Sequence, residues 1–169
     1  LNVSREMLQN NPVVAKIKSA IIKRVISELK KKANKDPEEF AKFWDVFGAV
    51  LKEGIHEDFT NRDKILEVCR FKSSESDKLI SLDDYVSRMK DGQEKIYYVS
   101  GEDENKLSQS PHLEGFKAKG IEVIYMTDPV DEFWLPSVGK FSEKDFQSIT
   151  KGGAELDKIK SDKKSKEKK

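Results

Sequence analysis

The sequence contains few of the residues that build disulfides, metal sites and phosphate-binding loops. Its 169 residues include one cysteine, two histidines and nine glycines. A single cysteine, Cys69, excludes an internal disulfide and fits a reducing compartment. His56 and His112 lie far apart, with no acid or cysteine at ligand spacing, so no metal site is predicted. The glycines form no phosphate loop, because Gly101 stands alone after the first predicted strand.

Long apolar runs and a net charge of one sign are also missing. No run approaches membrane-spanning length and no signal peptide is present, so we expect a cytoplasmic chain without membrane contact. Lys+Arg number 32 and Asp+Glu 31, so the overall charge calls for no nucleic acid. Residues 158–169 are lysine-rich and lack periodicity, which predicts a disordered tail. Because the chain starts at Leu1, within a segment that reads as structured, we expect a fragment of a longer protein.

Three short apolar segments predict a small, mainly parallel sheet. The segments at 96–100 and 122–126 are β-branched and aromatic, which is typical of strands covered on both faces. About twenty residues separate them, enough for a helical crossover and too many for a hairpin. A third strand is predicted near 146–150. The sequence therefore indicates the α/β class.

Three amphipathic helices are predicted before the sheet. The first follows Pro12, the second follows Asp36-Pro37 and ends at Gly54, and the third starts at Asp58 or Asn61. Their apolar stripes are Val13, Ile17, Ile21, Val25 and Leu29, widened by Val14, Ala20 and Ile26, in the first; Phe40, Phe43, Trp44, Phe47, Val50 and Leu51 in the second; and Ile65, Leu66, Val68 and Cys69 in the third.

The remaining segments complete a three-helix unit followed by a small α/β/α sandwich. Residues 71–80 read as a serine-rich linker, and Ser81 with Asp84 resembles a capping box that starts a helix through Met89. Two short helices, 102–109 and 111–119 with a cap at Gly120, are expected between the strands, and a shorter one at 130–135 before Pro136. The predicted division is 1–71 for the first segment and helical coil, 72–155 for the α/β subdomain and 156–169 for the tail.

No complete active site can be assembled from these residues alone. Asp128 and Asp131 follow the second strand, near the edge where such sheets bind ligands, but carboxylates there also cap helices. The pattern favours a binding or coupling role, so a free-standing α/β adaptor is one hypothesis. Nucleic-acid binding through the tail and the basic face of the first helix is another, disfavoured because the tail has no aromatic residues.

Several stretches of the chain resemble the middle domain of the ninety-kilodalton heat-shock protein (Hsp90) chaperones, in particular the bacterial type. The resemblance covers residues 1 to about 155 and only the C-terminal part of that domain. It lies in residues 1–9 (LNVSREMLQ), 52–59 (KEGIHEDF), 81–89 (SLDDYVSRM), 95–98 (KIYY), 110–114 (SPHLE) and 146–148 (FQS).

The resemblance implies a segment of an ATP-dependent, homodimeric chaperone that binds unfolded client proteins. In the family motif an arginine reaches the terminal phosphate of ATP, held with magnesium by the protein's own N-terminal domain. Here that arginine is Arg5, with Gln9 beside it and Asn2 before it, and a guanidinium suits such a phosphate. The fragment alone should not hydrolyse ATP. The dimer would form through a C-terminal domain that this chain lacks.

The resemblance also implies a client-binding surface at Glu132, Phe133 and Trp134. An aromatic pair after polar residues is typical of an exposed adhesive patch, but both rings could equally fill the core between sheet and helix. The sequence departs from the family here, since Phe133 stands where the family has tryptophan and Trp134 follows one place later. Pro136 should also shorten the helix.

Overall fold

The computed structural model describes residues 11–151. In chain order its helices are α1 (Pro12–Lys35), α2 (Pro37–Glu57), α3 (Arg62–Val68), α4 (Leu82–Ser87), α5 (Glu104–Ser108), α6 (Pro111–Ala118) and α7 (Asp131–Val138). Its strands are β1 (Phe71–Ser73), β2 (Ser76–Ile80), β3 (Lys95–Ser100), β4 (Ile124–Met126), β5 (Lys140–Phe141) and β6 (Lys144–Ser148). Among the described helices, none is both long and apolar enough to span a membrane.

The three-helix unit begins with tightly capped turns. Asn11 Oδ1 accepts a 2.8 Å hydrogen bond from the Val13 amide, and Pro12 occupies the first turn of α1. Asp36 serves two helices, since its amide donates to the Lys32 carbonyl and its side chain accepts from the Glu39 amide. One residue therefore reverses the chain between α1 and α2. The predicted helical unit with short connections is confirmed.

The predicted apolar stripe of α1 is only partly buried. Val13, Ile17, Ile21 and Val25 are 48% to 63% exposed, whereas Ile26 and Ala33 are buried and Ile22 and Leu29 pack against the core. A repeat of four residues drifts by about 40° per step around a helix of 3.6 residues per turn. The stripe therefore does not stay on one face, and only its later part meets α2.

The buried face of α2 also differs from the predicted one. Phe47 and Val50 are exposed, and Gly54 lies inside the helix, which continues to Glu57. The buried positions follow a repeat of nearly four residues: Phe40, Trp44, Gly48, Lys52 and Ile55. In α3 the predicted inward residues Ile65, Leu66, Val68 and Cys69 are all buried, as expected.

The sheet has the order β2-β1-β4-β3-β6-β5. The three predicted strands are confirmed and are parallel to one another, β3 pairing with both β4 and β6. The sheet as a whole is mixed, because the other three pairings are antiparallel. Residues 71–80, predicted as a linker, form the β1–β2 hairpin and not a loop.

Helices cover both faces of the sheet, which gives the expected α/β/α layers. On β3, Ile96 packs in the cluster with the helical unit and α7, and Tyr97 packs in the cluster with α5 and α6. The predicted capping box of α4 is present, with reciprocal hydrogen bonds between Ser81 and Asp84. Gly120, with φ of 73°, follows α6 as expected.

Helix α7 runs past Pro136 to Val138, further than the sequence predicted. Proline removes one backbone hydrogen bond, to the carbonyl four residues earlier. Both Pro136 and Glu132 are exposed, so solvent is available to that carbonyl. Gly139 then ends the helix with φ of 72°, its amide donating to the Leu135 carbonyl.

Candidate functional site

Helix α7 is fixed to the end of β4 through the side chain of Asp131. Asp131 is fully buried, and its Oδ2 accepts a 3.1 Å hydrogen bond from the Asp128 amide in the preceding loop. Its Oδ1 accepts a 2.7 Å hydrogen bond from Trp134 Nε1, one turn along the helix. Because a buried indole N–H needs an acceptor, this contact places the Trp134 ring inside the core.

Lys52 connects this part of α7 to helix α2. Its Nζ lies 2.8 Å from Asp128 Oδ2 and 3.1 Å from Asp131 Oδ1, and the residue is only 3% exposed. The same ammonium lies 4.9 Å from the ring centre of Phe71 in β1. Lys52 therefore contacts the helical unit, the sheet and α7 at one point.

The charges at this junction are mutually dependent. Burial raises the pKa of Asp131, while the charge of Lys52 and the hydrogen bonds from Trp134 and Lys52 act in the opposite direction. Asp128 remains about one-third exposed at its side chain, so water also solvates its carboxylate. An ion pair of this kind requires both partners, since either one alone would leave an uncompensated buried charge.

On the outer side of α7, the residue before Trp134 faces solvent. Phe133 is 62% exposed and Trp134 is not exposed at all. The Phe133 ring centre lies 6.3 Å from that of His56, near the end of α2. Glu132 is also exposed. The buried Asp131–Trp134 pair thus determines which of the two neighbouring aromatic rings reaches the surface.

A second exposed ring lies on the loop between α2 and α3. Phe59 is 78% exposed, and the guanidinium carbon of Arg62 lies 4.5 Å from its ring centre. Arg62 Nε donates to the Ile55 carbonyl of α2 and Nη1 to the Ser137 carbonyl of α7, both at 3.1 Å. Arg62 therefore holds the ends of α2 and α7 together beneath the exposed rings.

A cleft of about 900 Å³ lies elsewhere, between the start of α2, the β1–β2 hairpin and helices α5 and α6. Its most buried charge is Arg70, whose guanidinium lies 5.1 Å from the Phe40 ring centre. Both acidic and basic side chains line the cleft: Glu38, Asp45, Glu75, Asp77 and Glu104 are acidic, and Arg70, Lys72, Lys78 and Lys117 are basic. Such a mixed lining gives no field that would select a polyphosphate.

The residues predicted to contact nucleotide cannot be placed in this arrangement. Asn2, Arg5 and Gln9 lie outside the described residues, as does the lysine-rich tail. Of the predicted client-binding residues, Glu132 and Phe133 are on the surface, whereas Trp134 is inside and makes no surface contact. Within residues 11–151 no group of three or more histidine, cysteine, aspartate or glutamate side chains is arranged to hold a metal ion.

Lys52 and Arg62 were not singled out from the sequence. A signal for Lys52 existed, because it continues the spacing of Phe40, Trp44 and Gly48 along α2. A lysine on an otherwise apolar helix face indicates a buried cation with an acidic partner. No comparable sequence signal identified Arg62, since its acceptors are backbone carbonyls.

The comparisons with known proteins cover most or all of the chain. The sequence model of the family described as Hsp90 protein matches residues 1–169. The chain belongs to the Hsp90 family. It is 59% identical over 159 residues to the chaperone protein HtpG of Roseobacter denitrificans and 54% identical over 160 residues to that of Paramagnetospirillum magneticum. These alignments cover 94% and 95% of this chain but only 26% of each relative, so the chain spans about a quarter of their length.

A solved structure supports the same placement within Hsp90. The middle domain of a putative heat shock protein of Plasmodium falciparum superposes with a TM-score of 0.76 at 34% sequence identity. The superposition covers 82% of this chain and 58% of that domain. The expected Hsp90 resemblance is confirmed, and the fold is that of part of an Hsp90 middle domain.

Proposed function

We propose that this chain is the C-terminal part of the middle domain of an ATP-dependent chaperone of the HtpG type. The observation that carries the proposal is the continuous family match from residue 1, which includes the Asn2–Gln9 motif. The parent protein would be a cytoplasmic homodimer, joined through a C-terminal domain, and would bind ATP and magnesium in its N-terminal domain. The fragment alone would have no hydrolytic activity.

The first role of the chain would be to supply Arg5 to the nucleotide site. Phosphoryl transfer depends mainly on positioning and on neutralising charge at the terminal phosphate, which a guanidinium fork can do with two parallel hydrogen bonds. Gln9, four residues further along the chain, and Asn2 would orient this segment. Because Arg5 belongs to a different domain from the nucleotide, hydrolysis would require the two domains to approach.

The test is Arg5→Ala in the full-length protein. The turnover number for ATP should fall by about 100-fold or more, because transition-state charge is no longer neutralised, while the Kd for ATP should change much less. Steady-state turnover and nucleotide titration measure the two quantities. Arg24→Ala is the matched control, since Arg24 is an exposed arginine of α1 that pairs with Glu28 among the described residues. Equal turnover in both variants would remove Arg5 from the reaction.

The alternative function is a free-standing α/β adaptor with no nucleotide role. The two hypotheses differ when this chain is joined by a flexible linker to the separate N-terminal domain, because tethering raises its effective concentration. A chaperone segment should stimulate ATP hydrolysis, and Arg5→Ala should abolish the stimulation. An adaptor should leave hydrolysis unchanged with either residue at position 5.

The second role would be to present part of the client-binding surface. Glu132 and Phe133 supply its exposed residues, and Trp134 supports them from inside, held by Asp131. An exposed aromatic ring on a rigid helix loses little conformational entropy on binding, so it can contribute much of the affinity.

Phe133→Ala should therefore weaken binding of a permanently unfolded protein to the full-length chaperone. We expect the Kd to rise by about 5- to 30-fold, the usual range for a buried aromatic contact at an interface. Phe47→Ala is the matched control, since Phe47 is a half-exposed phenylalanine on another helix, α2, and is not part of this surface. Titration calorimetry measures the Kd of each variant for the unfolded protein. An unchanged Kd for Phe133→Ala would exclude this surface from client binding.

A further inference from the structure

Beyond α7, the exposed rings of Phe133 and Phe59 belong to one connected strip. The strip consists of Phe133, His56, Arg62 and Phe59. Phe133 contacts His56 of α2, and Arg62 joins the end of α2 to Ser137 of α7 while lying under the Phe59 ring. The links run through the Ile55 and Ser137 carbonyls as well as through the side chains, so both rings lie around the same ends of α2 and α7.

The two rings are spaced for an extended chain. One helical turn separates Phe133 from Ser137, and a turn rises about 5.4 Å. From Ser137, the Arg62 guanidinium leads on to Phe59, because it donates to the Ser137 carbonyl and lies 4.5 Å from the Phe59 ring centre. An extended polypeptide advances about 3.3 Å per residue, so no more than about five residues are needed to reach from one ring to the other by this path. A folded partner would need a complementary ridge, whereas an unfolded segment needs only two apolar side chains at this separation.

The charges around the strip select the kind of segment. Glu132 is next to Phe133, and Glu53 and Glu57 lie on the exposed side of α2 that also carries His56. Within the described part of the chain, none of these three carboxylates forms a salt bridge. Arg62 is the one cation assigned to the strip, and its guanidinium already serves two carbonyls and one ring.

We propose that the strip Phe133–His56–Arg62–Phe59 is a single binding surface for an extended, unfolded segment with two apolar side chains and at least one lysine or arginine. This inference rests on the proposed chaperone function and extends its client surface from α7 to the α2–α3 loop. The apolar side chains would contact Phe133 and Phe59. The basic side chain would lie among Glu53, Glu57 and Glu132.

The test uses fluorescence anisotropy with labelled peptides of about ten residues, long enough to cover the strip. The first peptide has two phenylalanines four residues apart, so that both rings project from the same face of the extended chain, with lysines between them. The second carries glutamates in place of the lysines, and the third carries serines in place of the phenylalanines. Each is titrated with the full-length chaperone and with its Phe59→Ala, Phe133→Ala and Phe47→Ala variants, and with the double variant Glu57→Gln, Glu132→Gln.

If the strip is one surface, Phe59→Ala and Phe133→Ala each weaken the first peptide by about 5-fold or more, and Phe47→Ala does not. The double glutamine variant should weaken the first peptide and tighten the second. The third peptide should bind most weakly of all. Thermal unfolding should be unchanged by Phe59→Ala, since the ring is 78% exposed.

The outcomes separate this inference from the client role of α7. Loss of binding with Phe133→Ala but not with Phe59→Ala overturns the extended strip and leaves the client role in place. No loss with either variant overturns both. Equal affinity for the lysine and glutamate peptides overturns the charge preference, and with it the assignment of Glu53, Glu57 and Glu132.

Discussion

At the scale of single residues, burial separates side chains that look alike in the sequence. Phe133 and Trp134 are adjacent aromatic residues, yet one is 62% exposed and the other has no exposed surface. The difference comes from one hydrogen bond, because Trp134 has an N–H that Asp131 can accept and phenylalanine has none. Phenylalanine therefore stands on the surface at position 133, and tryptophan lies in the core at position 134.

Cys69 gives a prediction at this scale. It has no exposed surface, and burial raises the pKa of its thiol to about 12, with the charge of Lys52 acting in the opposite direction. Since only the thiolate reacts, a disulfide reagent at pH 8 should modify native Cys69 at least about 1,000-fold more slowly than an exposed thiol. Absorbance of the released thiol measures the rate.

Two controls accompany the thiol measurement. Ser27→Cys adds an exposed cysteine on α1 and should react at once, which gives the reference rate. Denaturant should expose Cys69, which then reacts with the reagent and releases one further equivalent of its thiol. Rapid modification of Cys69 in the native chain would contradict the burial described here.

At the scale of elements, the turn between β5 and β6 is built from residues that do not favour it. Ser142 and Glu143 have φ of 51° and 64°, so both lie in the left-handed region. They form the two-residue connection of an antiparallel hairpin, in which Phe141 pairs with Lys144. Such turns strongly favour Asn-Gly, because side chains with a Cβ are strained there.

Replacing Ser142 by Asn and Glu143 by Gly should therefore stabilise the protein. The free energy of unfolding should rise by about 1 kcal/mol, measured by urea denaturation. Glu143→Ala is the control, because it removes the carboxylate but keeps the Cβ and its strain. A double variant no more stable than the control would show that the turn is not strained.

Elements with strong periodicity were predictable from the sequence, and elements that depend on pairing were not. The three parallel strands and the helices between them follow from short apolar runs and capping residues such as Ser81 and Asp84. The β1–β2 hairpin was missed because residues 71–80 are rich in serine and charge, and because β2 is an edge strand with little apolar alternation. Helix α7 exceeds its predicted length because Pro136 and Glu132 are exposed. The Glu132 carbonyl, which receives no hydrogen bond from the proline, therefore remains accessible to water.

The candidate site was only partly predictable, because it too depends on contacts between separate elements. Glu132 and Phe133 were identified through the family resemblance, whereas Lys52 was not identified, although it continues the spacing of the buried positions along α2. Its contact with Asp131 joins residues 79 positions apart in the chain. A sequence pattern describes one element at a time, so a contact between α2 and α7 becomes visible only once both are folded.

At the scale of the whole molecule, Lys52 couples the helical unit to the sheet. Its ammonium contacts α7 through Asp131, the loop before α7 through Asp128, and β1 through the Phe71 ring, from a position that is 3% exposed. If the pair is necessary for joining the two parts, removing one charge should destabilise the entire fold, because the other is left buried without a partner. The same loss should loosen α7 and disturb the surface that carries Phe133.

Lys52→Met tests this coupling. The variant should lower the free energy of unfolding by about 3–5 kcal/mol, since Asp131 would keep a buried charge with only hydrogen bonds to stabilise it. Adding Asp131→Asn should restore part of the loss, because the amide oxygen can still accept from Trp134 Nε1 and no charge remains buried. A double-mutant cycle in urea measures the coupling energy.

The matched control for Lys52 is Lys42→Met, which removes an exposed lysine of the same helix that pairs with Glu39. Exposed pairs of this kind contribute about 1 kcal/mol or less, so its effect should be small. If Lys52→Met lowers the free energy of unfolding no more than Lys42→Met does, the Lys52 ion pair does not stabilise the packing of the helical unit against the sheet. If instead Asp131→Asn rescues Lys52→Met and also restores client binding, the unpaired charge of Asp131, and not the loss of the Lys52 contact itself, would be what destabilises the fold and displaces α7 and Phe133.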